Sequence, residues 1–243
     1  MIDLRLGDCL EVMKDIPDGS VDAIVTDPPY GTTACKWDSV IPFEPMWEQL
    51  NRIIKPNGAI VLFGSEPFSS VLRMSNIKNY KYDWYWKKNR KTNFLNARKM
   101  PMGQIETISL FFNKLGNTYN PIMQKRTSQK AGNKKYGETK VYGKQNGDAI
   151  RGDNKSDYIL PSHLIEINTE RGLHPTQKPV ALMEYLIKTY TNEGETVLDF
   201  TMGSGSTGVA AKNLNRNFIG IEQDQKYYNI AEQRIKETEF KLF

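Results

Sequence analysis

Cysteine and histidine are scarce in this 243-residue chain: only Cys9 and Cys35, and only His163 and His174. Two cysteines cannot build a disulfide framework or a cysteine zinc site, and two histidines make no dedicated metal cluster, so no metal is expected. No apolar run approaches the roughly 18–20 residues of a membrane helix, so no membrane partner is expected either. Met1-Ile2-Asp3-Leu4-Arg5 does not read as a signal peptide, and a cytoplasmic protein is the expectation. With 39 % hydrophobic and 25 % charged residues, wholesale disorder is excluded.

Acidic charge is scarce in one region only. From Lys78 to Lys155 there are 18 Lys and Arg against 5 Asp and Glu, while the remainder holds 15 basic against 23 acidic residues. A basic middle between acidic ends fits a polyanion partner, and equally a solvated surface. Tyr80, Tyr82, Trp84, Tyr85 and Trp86 interleave with Lys81, Lys87, Lys88 and Arg90. Aromatic faces stack on bases while cations meet phosphates, yet Tyr82, Trp84 and Trp86 also describe one face of a buried strand.

Short apolar strands alternate with amphipathic helices along most of the chain. Leu4–Leu6, Val21–Val25, Ala59–Phe63, Tyr82–Trp86, Thr107–Phe112, Thr196–Phe200 and Asn217–Glu222 read as strands. Phe43, Met46, Trp47, Leu50 and Ile54 form one helical stripe; Leu182, Met183, Leu186 and Tyr190 form another, and Val209, Ala210 and Leu214 a third. The alternation predicts an α/β fold with a doubly wound, mostly parallel sheet. Residues 116–172, rich in Lys, Asn, Gly and Gln, break the pattern and are expected to be an insertion. The expected organisation is therefore 1–115, a basic insertion at 116–172, and 173–243, the outer two forming one domain.

Asp27-Pro28-Pro29-Tyr30 follows the Val21–Val25 strand, at the carboxyl edge where open α/β sheets bind ligands. Two prolines carry no N–H and each holds its predecessor extended, so the loop is stiff and offers acceptors: the Asp27 carboxylate and the Pro28 carbonyl. Such a loop suits an exocyclic amino group, adenine N6 or cytosine N4, with Tyr30 as a flat stacking face. A plain turn ending a strand is the competing reading.

Val25-Thr26-Asp27-Pro28-Pro29-Tyr30-Gly31 resembles the catalytic motif of amino-group DNA methyltransferases. The resemblance implies a Rossmann-like methyltransferase fold in which the Asp side chain and first Pro carbonyl hold the target amino group. Asp is the usual residue of the N6-adenine enzymes, whereas many N4-cytosine enzymes carry Ser there, so the resemblance implies adenine.

Gly203-x-Gly205-x-x-Gly208 joins the Thr196–Phe200 strand to a helix and fits a dinucleotide fingerprint, with Glu222, 17 residues beyond Gly205, placed to bind ribose hydroxyls. Alone it would serve a nicotinamide cofactor equally well. Phe200 before a Gly203-Ser204-Gly205 core resembles the S-adenosylmethionine motif of the same methyltransferases, with Ser206 where the family often has Thr. His174-Pro175-Thr176-Gln177-Lys178-Pro179 resembles the family's motif for the methionine end of that cofactor, and Asp8 matches an acidic residue placed against its adenine; an N-cap role for Asp8 is equally compatible. The cofactor residues so implied are Asp8, Cys9, Asp27, His174, Thr176, Gln177, Lys178, Phe200, Met202, Gly203, Ser204, Gly205, Thr207, Glu222 and Gln223.

Catalytic motif first, basic variable region next and cofactor loop last is the permuted order of the β class. The resemblance implies N6-adenine methylation of a base flipped from double-stranded DNA, in a bacterial or phage-infected cell. The partners it implies beyond DNA are a second copy and a cognate restriction endonuclease. Phosphate contacts are expected from Lys87, Lys88, Arg90, Lys125, Arg126, Lys134 and Lys135, the cluster from 125 to 135 contributing most. N4-cytosine methylation, N6 methylation of RNA, a nicotinamide oxidoreductase and a non-catalytic nucleic-acid-binding module are the competing functions. The last two leave one or both sites without a role.

Overall fold

The computed structural model describes residues 1–32, 38–113, 117–126, 157–170 and 177–239. In chain order the strands and helices are β1 (Ile2–Leu6), α1 (Cys9–Val12), β2 (Val21–Thr26), α2 (Phe43–Ile53), β3 (Ile54–Gly64), α3 (Phe68–Ser75), β4 (Tyr80–Thr92), β5 (Gly103–Phe111), β6 (Gln124–Lys125), β7 (Tyr158–Ile159), β8 (Leu164–Glu166), α4 (Val180–Tyr190), β9 (Thr196–Asp199), α5 (Ser206–Asn213), β10 (Asn217–Glu222) and α6 (Gln225–Glu237). Eight strands form one sheet in the order β1-β10-β9-β2-β3-β5-β4-β8. From β1 to β3 every neighbour is parallel, and β5 then runs antiparallel to both β3 and β4. This is the expected doubly wound sheet with an antiparallel pair at one side.

All six residues of β2 are buried, because the helices cover both faces of the sheet centre. One face packs Val25, Val61 and Val197 with Leu182, Leu186 and Tyr190 of α4; the other packs Ile24, Ile60 and Leu198 with Met46, Leu50 and Ile53 of α2. Side chains alternate along each strand, so a single apolar strand serves both layers.

The aromatic stretch of β4 is core. Trp84 and Trp86 are buried, Trp84 Nε1 donates to the Tyr190 hydroxyl at 2.6 Å, and the Tyr82 and Tyr190 hydroxyls lie 2.9 Å apart. Trp86 Nε1 donates to the Ile167 carbonyl at 2.8 Å. Tyr82 and Trp84 thus fasten β4 to α4 and Trp86 ties it to the stretch after β8, so these rings serve the core.

Two compact units divide the chain: residues 1–120 with 163–243, and residues 121–162. In the smaller unit β6 and β7 pair antiparallel, and Arg126 N–H donates to the Asp157 carbonyl at 2.7 Å. The stretch from His163 belongs to the larger unit, where β8 adds an edge strand beside β4.

Candidate active site

The Asp27–Tyr30 loop leaves the carboxyl end of β2 beside the loop that follows β9, since β2 and β9 are neighbours in the sheet. Three contacts clamp the loops together. Thr26 Oγ1 donates to Asp199 at 3.0 Å, Phe200 N–H donates to Thr26 Oγ1 at 3.2 Å, and Thr201 Oγ1 donates to the Asp27 carbonyl at 3.1 Å. Beyond Tyr30, the Asp38 carboxylate takes the Gly31 and Thr32 N–H groups, both at 2.9 Å.

One cavity of about 800 Å³ holds both sequence motifs. Asp8, Cys9, Asp27, Pro28, Pro29, Tyr30, Gln177, Lys178, Phe200, Met202, Gly203, Ser204, Thr207, Glu222 and Gln223 all line it. Gly205 does not; it shapes the loop. Its φ of +79° is a left-handed conformation, and an added Cβ would lie 2.9 Å from Ala231 Cβ. At Gly208 a Cβ would meet Ile235 at 2.3 Å, so the third glycine lets α5 approach α6 closely.

Glu222 supports this loop directly. Its two carboxylate oxygens accept from Gly203 N–H and Asp224 N–H, each at 2.9 Å, and lone pairs remain for two hydroxyl donors. Burial raises the Glu222 carboxyl, and these N–H groups oppose the rise. Asp8 is an N-cap, accepting from Leu10 N–H at 2.8 Å, and also faces the cavity. Cys9 is pushed up to about 12, chiefly by burial, and is no thiolate nucleophile. His174 and Thr176 lie outside the described residues.

Lys178 lines the same cavity and is paired there with acids. Its Nζ lies 2.5 Å from Asp27 Oδ2 and 2.9 Å from Glu106 Oε1, with the Phe63 ring 5.0 Å away. The Tyr30 hydroxyl sits between Asp27 Oδ1 and Glu106 Oε1, with a single proton to donate, and the Tyr30 ring stacks on Phe68 at 5.0 Å. Lys88 completes the cluster at 3.3 Å from Glu106. Two carboxylates and two ammonium groups thus balance. Lys178 and Glu106 keep only 8 % and 10 % of their side-chain surface, whereas Asp27 keeps 21 %, the opening through which a substrate group can reach it.

Burial raises the Asp27 carboxyl, Lys178 opposes that rise and Glu106 adds to it. Burial works against a charged Glu106 as well, but Lys178 and Lys88 together hold it below the usual carboxylate range. The Tyr30 hydroxyl is held well above 10 by burial and both carboxylates, so it stays a donor.

Glu106 belongs to neither motif, although it carries a signal of its own. It shares the inward face of β5 with Ile108 and Leu110, and an acid at an inward position of an apolar strand needs a partner. Lys88 likewise continues the inward stripe Tyr82, Trp84, Trp86, and it reaches the cavity wall paired with Glu106. Lys87 is ion-paired with Glu166 at 3.0 Å on the surface, while Arg90 is exposed and has no acidic partner among the described residues. Lys125 and Arg126 fall in the smaller unit, and Lys134 and Lys135 lie outside the described residues.

A family model described as DNA methylase, of the N6/N4 type, matches residues 21–233. The chain belongs to the N6/N4 DNA methylase family. The methylase is 32 % identical to the type II methyltransferase M.BglII of Bacillus subtilis over 93 % of this chain and 67 % of that protein. It is 31 % identical to M.HpaI of Haemophilus parainfluenzae over all of this chain and 77 % of that protein. Among solved structures, M1.HpyAVI in complex with SAM superposes with a TM-score of 0.64 at 30 % identity, covering 96 % of this chain and 100 % of that one. The cytosine-N4-specific PvuII DNA methyltransferase gives a TM-score of 0.69 at 17 % identity, covering 100 % and 88 %, a likeness of fold.

DNA is therefore the methylase's substrate and S-adenosylmethionine its cofactor. The residues present fit that cofactor. It has a ribose diol and an amino-acid tail in place of a pyrophosphate, and the cavity offers it the acidic Glu222 and Asp8, the polar Gln177 and Ser204, and the Phe200–Ser204 loop.

Proposed function

We propose that the chain is an adenine-N6 DNA methyltransferase acting on a base flipped out of a short duplex target. The observation that carries this reading is the carboxylate of Asp27, at the position where the resembling cytosine enzymes often have Ser, facing the cavity shared with the Gly203–Glu222 loop.

When bound, S-adenosylmethionine supplies an electrophilic methyl group on a sulfonium. Glu222, Asp8 and the Gly203–Ser204 loop would hold it, with Gln177 at its tail. The chain's own task is to make a poor nucleophile competent, because the adenine amino lone pair is delocalised into the ring. Asp27 and the Pro28 carbonyl accept from the two amino N–H groups, draw the nitrogen toward tetrahedral geometry and stabilise the charge that builds there. Tyr30, held at its hydroxyl and backed by Phe68, offers its other ring face to the base. Lys178 and Glu106 are positioning residues: Lys178 favours the ionised form of Asp27 against burial, and Glu106 gives Lys178 a second anchor when the amino group arrives at Asp27. Inside a duplex N6 is paired, so the base must leave the stack at a cost of a few kcal/mol.

N4-cytosine methylation would use the same acceptors, and nucleoside analysis of methylated DNA separates the two. The relatives' description as type II methyltransferases supports a place in a restriction-modification pair, with a cognate endonuclease as partner. A homodimer rests on the family resemblance. Purified protein, labelled S-adenosylmethionine and unmethylated genomic DNA test the reading; no label in adenine overturns it.

A further inference from the structure

Between Asp83 and Glu106 the chain has no acidic residue and six cations, Lys87, Lys88, Arg90, Lys91, Arg98 and Lys99. Lys87 and Lys88 are spoken for by Glu166 and Glu106. The other four are exposed and have no acidic partner among the described residues. They flank the tip of the β4–β5 hairpin, where Phe94 and Leu95 are 73 % and 84 % exposed.

This tip is built. Asn93 turns the chain at a φ of +65°, Asn96 Nδ2 donates to Asn93 Oδ1 at 2.8 Å, and Lys99 and Met100 N–H groups donate to the Asn96 carbonyl at 2.8 and 3.0 Å. The backbone closes on itself and turns Phe94 and Leu95 outward. Its root is the active site: Lys88, Thr92, Gly103 and Ile105 line the cavity that holds Asp27. Phe94 is two residues from Thr92, so its Cα lies at most about 7.6 Å from that rim residue.

A symmetric contact with a second copy would bring like-charged tips together with no acid to compensate, so the surroundings select a polyanion. Apolar side chains that enter a duplex do so beside cations that hold the flanking phosphates. We propose that this hairpin enters the DNA duplex next to the target, Arg90, Lys91, Arg98 and Lys99 gripping phosphates while Phe94 and Leu95 fill the stack that the flipped base leaves. The wedge rests on the base-flipping reading above; the phosphate grip does not.

The test uses the full chain and a fluorescent 30-base-pair duplex of mixed sequence across a salt series. R90A/K91A and R98A/K99A should each reduce the slope of log affinity against log salt by about 0.9 for every phosphate contact removed. F94A/L95A should keep the wild-type slope and S-adenosylmethionine affinity, yet lower methyl transfer to unmethylated genomic DNA by tenfold or more. Unaltered slopes in both charge variants overturn the grip. Unaltered transfer in F94A/L95A overturns the wedge, as does sedimentation showing that F94A/L95A converts a dimer to a monomer, which would make the tip a contact between copies. Absence of transfer by the wild type would strike the methylation reading and the wedge with it, leaving the grip to the salt slopes.

Discussion

Replacing Lys178 with Met tests the charge cluster, because it removes the only cation within ion-pair distance of Asp27 among the described residues. Lys88 stays with Glu106, so Glu106 keeps a partner and Asp27 does not. What remains on Asp27 is burial and a neighbouring carboxylate, both of which raise it, opposed only by the Tyr30 hydroxyl. An opposite charge at this range holds a carboxyl down by about 1–3 units. The acid limb of single-turnover methyl transfer should therefore move to higher pH by about that much, with the rate falling about tenfold per unit on the acid side of the limb and recovering as pH rises. E106Q removes the repulsive neighbour and should move the limb the opposite way; K178M/E106Q should fall below K178M alone. If Lys178 serves the cofactor's carboxylate instead, calorimetry on K178M would show weakened S-adenosylmethionine binding and an unmoved limb. That pair of results would refute the positioning role. Leaving a buried carboxylate unpaired also costs about 3–5 kcal/mol, so each variant's thermal midpoint is read first.

Three further outcomes follow from the same geometry. Glu222→Ala should weaken S-adenosylmethionine binding by roughly 1.5–3 kcal/mol by calorimetry, through lost ribose contacts and the freed Gly203 N–H, whereas NAD should not bind the wild type; unchanged affinity would show that Glu222 holds neither. Asp199 is raised from 3.8 to about 7, chiefly by burial, so its protonated form favours the fold: the contribution is full below about pH 4 and is lost as pH rises through 7. The wild type should lose about 4 kcal/mol over that interval relative to Asp199→Asn, measured by urea midpoints at pH 4 and 8, and parallel profiles would contradict this. Lys125/Arg126→Ala should reduce the salt slope of duplex binding if the smaller unit touches phosphate, and leave it unchanged if it does not.

The alternating apolar strands, the Asp27–Tyr30 loop and the glycine loop were legible in the sequence because each is local: periodicity, proline and glycine act over a few residues. β10 was placed to the residue, and β2 to within one. β4 and β5 were seen only at their apolar halves, since Lys87–Thr92 and Gly103–Ile105 pair across a polar hairpin with no apolar alternation to mark it. Glu106 signalled only that an inward-facing acid needs a partner, not which one. Its role depends on β5 lying between β3 and β4 and on Lys178 arriving from the other end of the chain, and no spacing encodes that meeting. The aromatic stretch left bases and core both open, because stacking on DNA and packing in a core ask for the same residues.

Nucleoside mass spectrometry of DNA from a host free of modified bases that expresses the chain reads the methylated base itself. N6-methyladenine is expected with the wild type, and with Asp27→Ala a single-turnover rate lower by about 10²–10³ in purified protein. N4-methylcytosine in place of N6-methyladenine would contradict the adenine assignment, and undiminished transfer by Asp27→Ala would contradict the site.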